Sequence, residues 1–232
     1  NDGGRRVGYI NMRTFISTAD NALRNAFANF RSQGVTDFII DFRYNGGGLV
    51  STAQLMSNLL GGNRTTSDVM FNQTFRTSKS VENETARFQP EASSVSPIRV
   101  AFIGSRATAS ASELVMNNFI PYLGNNLALV GTNTYGKPVG QIAIDQASCD
   151  DRMRVVAFST QSANNSGYYF NGIASIMPNS AKGISATNCL RSDCGSCRQM
   201  PCQLLATSSQ PLSFPTRRHA PNARPIPSFR LH

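Results

Sequence analysis

The sequence predicts a layered α/β domain followed by a poorly structured C-terminal tail. Three observations carry this prediction. Up to Gly62 the chain alternates strand-like and helix-like patterns in the order β-α-β-turn-α, the pattern of a sheet with helices packed on it. Two short apolar runs, "VTDFIIDFR" and "IRVAFIG", read as strands covered on both faces. From about Ala174 onward periodicity stops, and Ser, Pro, Arg and Cys take over.

Each element has its own signal. "RVGYINMRTF" reads as a strand with Val7, Tyr9 and Ile10 as its apolar residues. "STADNALRNAFANFRSQG" is a helix, with Ser17 or Thr18 as cap, Leu23, Phe27 and Phe30 at helical spacing, and Gly34 as stop. "YNGGG" turns the chain out of "VTDFIIDFR", and "LVSTAQLMSNLLGG" is a second helix closed by glycines. Residues 63–97 are polar and weakly periodic, although "DVMFNQTFRTS" alternates as part of a hairpin. After "IRVAFIG", "SRATAS" is a loop and "ASELVMNNFIPYL" a helix interrupted near Pro121. "NLALVGT" is a strand, "NTYGKPVGQ" a glycine-punctuated turn into "IAIDQ", and "RMRVVAFSTQSAN" and "SGYYFNGI" read as strands completing the sheet.

The chain has 232 residues, 40% hydrophobic and 15% charged, enough for one domain with a core. Its abrupt start at "NDGGRRVGYI" reads as a mature form or a fragment. No run approaches the roughly 18 apolar residues of a membrane span. The net charge of +9 is concentrated late: Arg191, Arg198, Arg217, Arg218, Arg224 and Arg230 face Asp193 alone. That tail lacks interleaved aromatics, so no nucleic-acid partner is expected. The cysteines at 189, 194, 197 and 202 are spaced C-x4-C-x2-C-x4-C. The spacing is compatible with disulfides, with zinc or with a chance cluster, and no metal is assigned.

Ser105, Ser110 and Ser112 lie between a buried strand and a helix, where helix-start N–H groups can stabilise an oxyanion. "SASE" before an apolar run is equally the pattern of a helix cap, with Glu113 in the first turn. A nucleophilic serine needs a base. Both histidines, His219 and His232, lie in the Pro/Arg-rich tail, and arginine cannot serve. Of Lys79, Lys137 and Lys182, only Lys137 sits between glycines and apolar runs, where burial would favour a neutral amine. Glycines 46–48 can form an anion-binding concavity. Asp41 and Arg43 flank that turn and can pair to hold its shape.

Three blocks in order resemble the protease domain of the C-terminal processing, or tail-specific, serine peptidases. They are "VGYINMRTF…VTDFIIDFRYNGGGLVSTAQLMSNLL", "VAFIGSRATASASELVMNNF" and "ALVGTNTYGKPVGQ". The resemblance implies a ClpP/crotonase-like ββα stack and a serine endopeptidase acting through an acyl-enzyme, without metal or organic cofactor. It implies Ser110 as nucleophile, Lys137 as general base and Gln141 as the residue orienting the lysine. It implies an oxyanion hole from the N–H groups of Ala111 and Gly47. It also implies polypeptide substrates cut near their C-termini, in the periplasm or cell envelope or in a chloroplast lumen.

On this reading residues 1–175 are the protease core, with no PDZ module visible, and 176–232 are an irregular Cys/Pro/Arg-rich tail foreign to the fold. The chain departs from the family pattern in its "YNGGG" turn and in a slightly longer interval between Ser110 and Lys137. Two alternatives stand beside the protease: a catalytically inactive peptide-binding module on the same scaffold, and a crotonase-like acyl-CoA enzyme. The latter would need a carboxylate base that is not well placed here.

Overall fold

The computed structural model describes residues 4–180, apart from 147 and 150. The predicted tail from residue 181 on, with Lys182, four of the cysteines and both histidines, lies outside the described residues. In chain order the elements are β1 (Val7–Asn11), α1 (Asp20–Ser32), β2 (Asp37–Asp41), α2 (Val50–Leu60), β3 (Val69–Phe75) and β4 (Glu84–Arg87). They continue with β5 (Arg99–Gly104), α3 (Ala111–Leu123), β6 (Leu127–Gly131), β7 (Val139–Gln146), β8 (Asp151–Ser162) and β9 (Asn179–Ser180).

Strands β1-β2-β5-β6-β9, in that spatial order, form a five-stranded parallel sheet. Strands β4-β3-β8-β7 form a second, antiparallel sheet. In the central strands the buried Phe38, Ile40, Val100 and Phe102 share one face, which the helices cover, whereas Ile39 and Ala101 on the opposite face are half-buried, so the burial on both faces expected from the apolar runs is found on one only. α1 places Leu23 and Phe27 four residues apart on its buried stripe, and Phe27 and Phe30 pack on Phe38 at 6.2 and 5.6 Å. α3 is buried on every side from Ala111 to Phe119 and meets both β6 and β8, so it lies between the two sheets. Its polar side chains find partners there. Ser112 Oγ donates to Asn45 O, Asn117 Nδ2 donates to Ser166 O, and Asn118 pairs with Ser57 Oγ at 3.0 Å.

Five further expectations need correction. In β1 the core-facing residues are Gly8 and Ile10, whereas Tyr9 is 52% exposed; a Cβ on Gly8 would lie 2.6 Å from the Phe38 ring. The helix at Ala111 runs through Pro121 to Leu123, since a missing N–H so near the end leaves most of the ladder intact. β7 and β8 do not complete the parallel sheet; they form a hairpin that pairs with β3 in the second sheet.

"SGYYFNGI" is not a strand. Side chains of Asn133 and Thr134 satisfy the backbone of Asn171, Ile173 and Ala174 in place of a ladder, and Tyr169 anchors the loop in the core. Lastly, the ordered core does not stop at 175. Met177 is buried, and β9 adds itself to β6 with Asn179 Nδ2 donating to the carbonyls of Asn125 and Leu127.

Candidate active site

In an open parallel sheet, sites form beyond the carboxyl ends of the strands. Here three turns meet at that end. The first follows β2, the second follows β5, and the third follows β6. Hydrogen bonds join the first two: Thr108 Oγ1 donates to Phe42 O at 2.7 Å, Ala109 N–H to Asn45 O at 3.0 Å, and Tyr44 N–H to Ser105 Oγ at 3.2 Å. Tyr135 N–H donates to Thr108 O at 2.9 Å and adds the third turn.

The three candidate serines separate at once. Ser105 is tied to Tyr44, and the buried Ser112 hydroxyl to Asn45. Ser110 is half-buried at the head of α3 and lines a narrow cleft with Lys137. An ordinary capping residue has extended backbone. Ser110 does complete the expected capping box, its side chain accepting Glu113 N–H while the Glu113 side chain accepts Ser110 N–H, but it does so with φ 58° and ψ −116°, a conformation that non-glycine residues avoid. Such strain concentrates at functional turns. The cleft, about 20 Å³, is also lined by Val50, Ala111, Leu114, Val139 and Phe158. No hydrogen bond joins the Ser110 hydroxyl to the Lys137 amine, although unliganded sites commonly hold such pairs loosely. Lys79 is exposed, away from the cleft. Gln141 is exposed on β7 just after a bulge, opposite Val156, and its side chain makes no hydrogen bond among the described residues.

Glu113 is what brings the serine and lysine turns together. Its carboxylate is fully buried. Oε2 accepts the N–H groups of Ser110 and Lys137, both at 2.8 Å. Oε1 accepts the Thr134 hydroxyl at 2.6 Å and Gly136 N–H at 2.7 Å. Thr134 Oγ1 in turn accepts Ile173 N–H at 2.9 Å, which extends the network into the loop that carries Tyr169. Burial first, and the Glu113 charge second, push the Tyr169 phenol above its ordinary range, so it stays neutral.

The glycine turn is held from below. Burial pushes the Asp41 carboxyl up. Hydrogen bonds from the Arg43 side chain and backbone and from Tyr9 outweigh that and leave it below the ordinary carboxylate range. Its contribution to stability is therefore present at neutral pH and is lost only as pH falls through the lowered value. Gly47 lies against the Ser110 turn, where a Cβ would sit 2.8 Å from Ser110 Cβ and 2.9 Å from Ala111 N. Its N–H already donates to Asn45 Oδ1 at 2.9 Å, so an oxyanion would compete with that side chain. Ala111 N–H, at the first position of α3, has no acceptor among the described residues.

The sequence pattern of peptidase family S41 matches residues 6–175, which is most of the chain. The chain belongs to peptidase family S41. Among its relatives is the chloroplastic C-terminal processing peptidase of Tetradesmus obliquus, 28% identical over 141 residues, which cover 61% of this chain and 28% of that protein. A Bacteroides fragilis protein assigned to the S41 proteases superposes with a TM-score of 0.72 at 23% identity, over 88% of this chain and 54% of its own. The photosystem II D1 C-terminal processing protease superposes with a TM-score of 0.62 at 20% identity, over 87% of this chain and 47% of its own. The S41 chain thus spans less than a third of its Tetradesmus relative and about half of each of these two structures. The α/β fold agrees with the sequence expectation and with these S41 structures.

Two residues central to this S41 site carried no adequate signal in the sequence. Glu113 reads there as a first-turn acid, and Asn45 as a turn residue. The partners that define them, Thr134 to Lys137 for one and Met12, Ala109 and Ser112 for the other, are remote in sequence. Gly47→Ala tests the fit of the turns. Gly47 has φ 105°, and the new methyl would collide with Ser110 Cβ and the Ala111 amide. The expected loss is roughly 2–4 kcal/mol by denaturant unfolding, from strain and overpacking together. A loss under about 1 kcal/mol would show that the two turns are not packed as described.

Proposed function

We propose that this chain is the protease core of a serine peptidase in which Ser110 is the nucleophile and Lys137 the general base. The observation that carries the reading is the strained Ser110 turn at the head of α3, opening on the same cleft as Lys137 in a chain of family S41. Lys137 in its uncharged form accepts the Ser110 proton as Oγ adds to the peptide carbonyl carbon. The oxyanion is met by Ala111 N–H, with Gly47 N–H joining if Asn45 yields it. The tetrahedral centre collapses, the C–N bond breaks, and the leaving amine takes the proton from Lys137. Water then adds to the acyl-enzyme, giving its proton to Lys137, and Ser110 is restored. Gln141 would orient the lysine amine by turning inward from β7.

The narrow, apolar cleft beside Ser110 suits a small substrate side chain. Cleavage near polypeptide C-termini, and a periplasmic or envelope location, belong to the same proposal. The former is what the Tetradesmus relative's name says of that protein. A second reading, a peptide-binding module without turnover, draws on the missing Ser110–Lys137 hydrogen bond and the engaged Gly47 N–H. Labelling with a fluorophosphonate probe and peptide mapping separates the two. A covalent adduct on Ser110 is expected. Peptide binding with no adduct at saturating probe would overturn the protease reading in favour of the second.

A further inference from the structure

The carboxyl end of the parallel sheet carries a row of arginines. β1, β2 and β5 are adjacent and in register, with Asn11 beside Asp41 and Asp41 beside Ile103. Arg13 lies two residues past the end of β1, Arg43 two past β2, and Arg106 two past β5. Counted from the registered row Asn11, Asp41 and Ile103, Arg13 and Arg43 lie two residues on and Arg106 three, so three exposed arginines sit at the same end of adjacent strands. The rim adjoins the nucleophile. Arg106 is in the turn that leads to Ser110, Arg43 opens the turn that packs on Ser110, and the Arg13 guanidinium lies 5.8 Å from the centroid of the exposed Tyr44 ring.

Two of the three charges there are uncompensated, since Arg43 is paired with Asp41. The connections after β1, β2, β5 and β6, up to the helices and strand that follow, contain no aspartate or glutamate beyond the β2 terminus. The two carboxylates near the turns, Asp41 and Glu113, are fully buried and committed to Arg43 and Tyr9 and to the serine and lysine turns respectively. Asp20, in the first turn of α1, is half-buried and accepts the Thr52 hydroxyl. Among the described residues neither Arg13 nor Arg106 joins an ion pair. Arginine's planar fork matches a carboxylate with two parallel hydrogen bonds, and Tyr44 holds the Arg13 fork from one side.

We propose that Arg13 and Arg106 form a carboxylate-recognition rim that favours polypeptide segments carrying negative charge beside the bond presented to Ser110. This rests on the substrate-binding part of the proposed function and deepens it. The carboxylate can come from an acidic side chain or from a free chain terminus, and the rim chemistry is the same for both. Because the rim is exposed, the preference weakens as salt screens it.

The test measures binding, so it does not depend on turnover. Fluorescent peptides of one sequence are titrated by anisotropy into the whole Ser110→Ala chain. One carries glutamates and an amidated end, a second carries glutamines and a free end, and a third carries glutamines and an amidated end. At least tenfold tighter binding of the first or second than of the third is expected, and which of them gains identifies the source of the carboxylate. Arg13→Gln/Arg106→Gln should erase the gain, and 0.5 M salt should reduce it. Equal binding of all three peptides, or a preference that survives the double substitution, overturns the rim. Failure of the wild-type chain to acylate or cleave would count against the protease reading alone.

Discussion

Ser110→Ala and Lys137→Ala are each expected to abolish peptide cleavage while leaving the fold in place. Removing the nucleophile of a serine protease costs on the order of 10⁶-fold in turnover, and removing its base about as much, because the two act as a unit. Neither change should unfold this protein. The tie from Lys137 to Glu113 runs through the lysine's backbone N–H, which alanine keeps. The tie from Ser110 to the Glu113 carboxylate likewise uses a backbone N–H; what alanine removes is the capping contact from Glu113 N–H to the Ser110 side chain, worth about 1 kcal/mol. A third variant separates nucleophile from cap. If Ser110 served mainly as a cap, glycine there would be neutral or slightly destabilising. With φ 58° and ψ −116°, the strain that glycine relieves should outweigh the capping contact it loses, so stability is held or raised by up to about 1 kcal/mol while turnover disappears. Full cleavage by Lys137→Ala would remove lysine from the mechanism. Measurable loss of stability in Ser110→Gly would return the serine to a capping role.

What the sequence made legible was local. The stripe of Leu23 and Phe27, the apolar runs of β2 and β5, and the small-residue turn before α3 each follow from spacing within a few residues. Positions set by distant partners were not legible. Tyr9 reads as apolar and faces outward because its hydroxyl donates to Asp41 on the next strand. "SGYYFNGI" has strand-like composition, yet Asn133 and Thr134 claim its backbone from almost forty residues away. The same reason explains the site. The strand-to-helix placement of Ser110 and the glycine setting of Lys137 show in the sequence, whereas the carboxylate joining them reads only as a first-turn acid.

That carboxylate carries the second large effect. Glu113→Ala should cost at least about 4 kcal/mol, because it orphans buried donors worth roughly 1–3 kcal/mol each. A domain of this size has only about 5–15 kcal/mol in hand. Glu113→Gln is the sharper test, since it keeps shape and removes one acceptor. If the amide nitrogen faces Thr134, the hydroxyl can rotate to accept, but Gly136 N–H is left against a donor. If it faces the other way, the N–H groups of Ser110 and Lys137 both lose their acceptor. The first orientation costs about 1–3 kcal/mol and the second about twice that, and either loosens the register between the Ser110 and Lys137 turns. The Glu113 carboxylate touches neither the Ser110 hydroxyl nor the Lys137 amine, so its role is to position the two turns, and stability alone cannot reveal that. The distinguishing measurement is the fluorophosphonate labelling rate at a temperature where the variant is fully folded. A purely structural carboxylate would leave that rate unchanged; a positioning one should lower it at least tenfold, with kcat falling more than KM rises. Wild-type labelling by folded Glu113→Gln would mean that the serine and lysine turns hold their register without it.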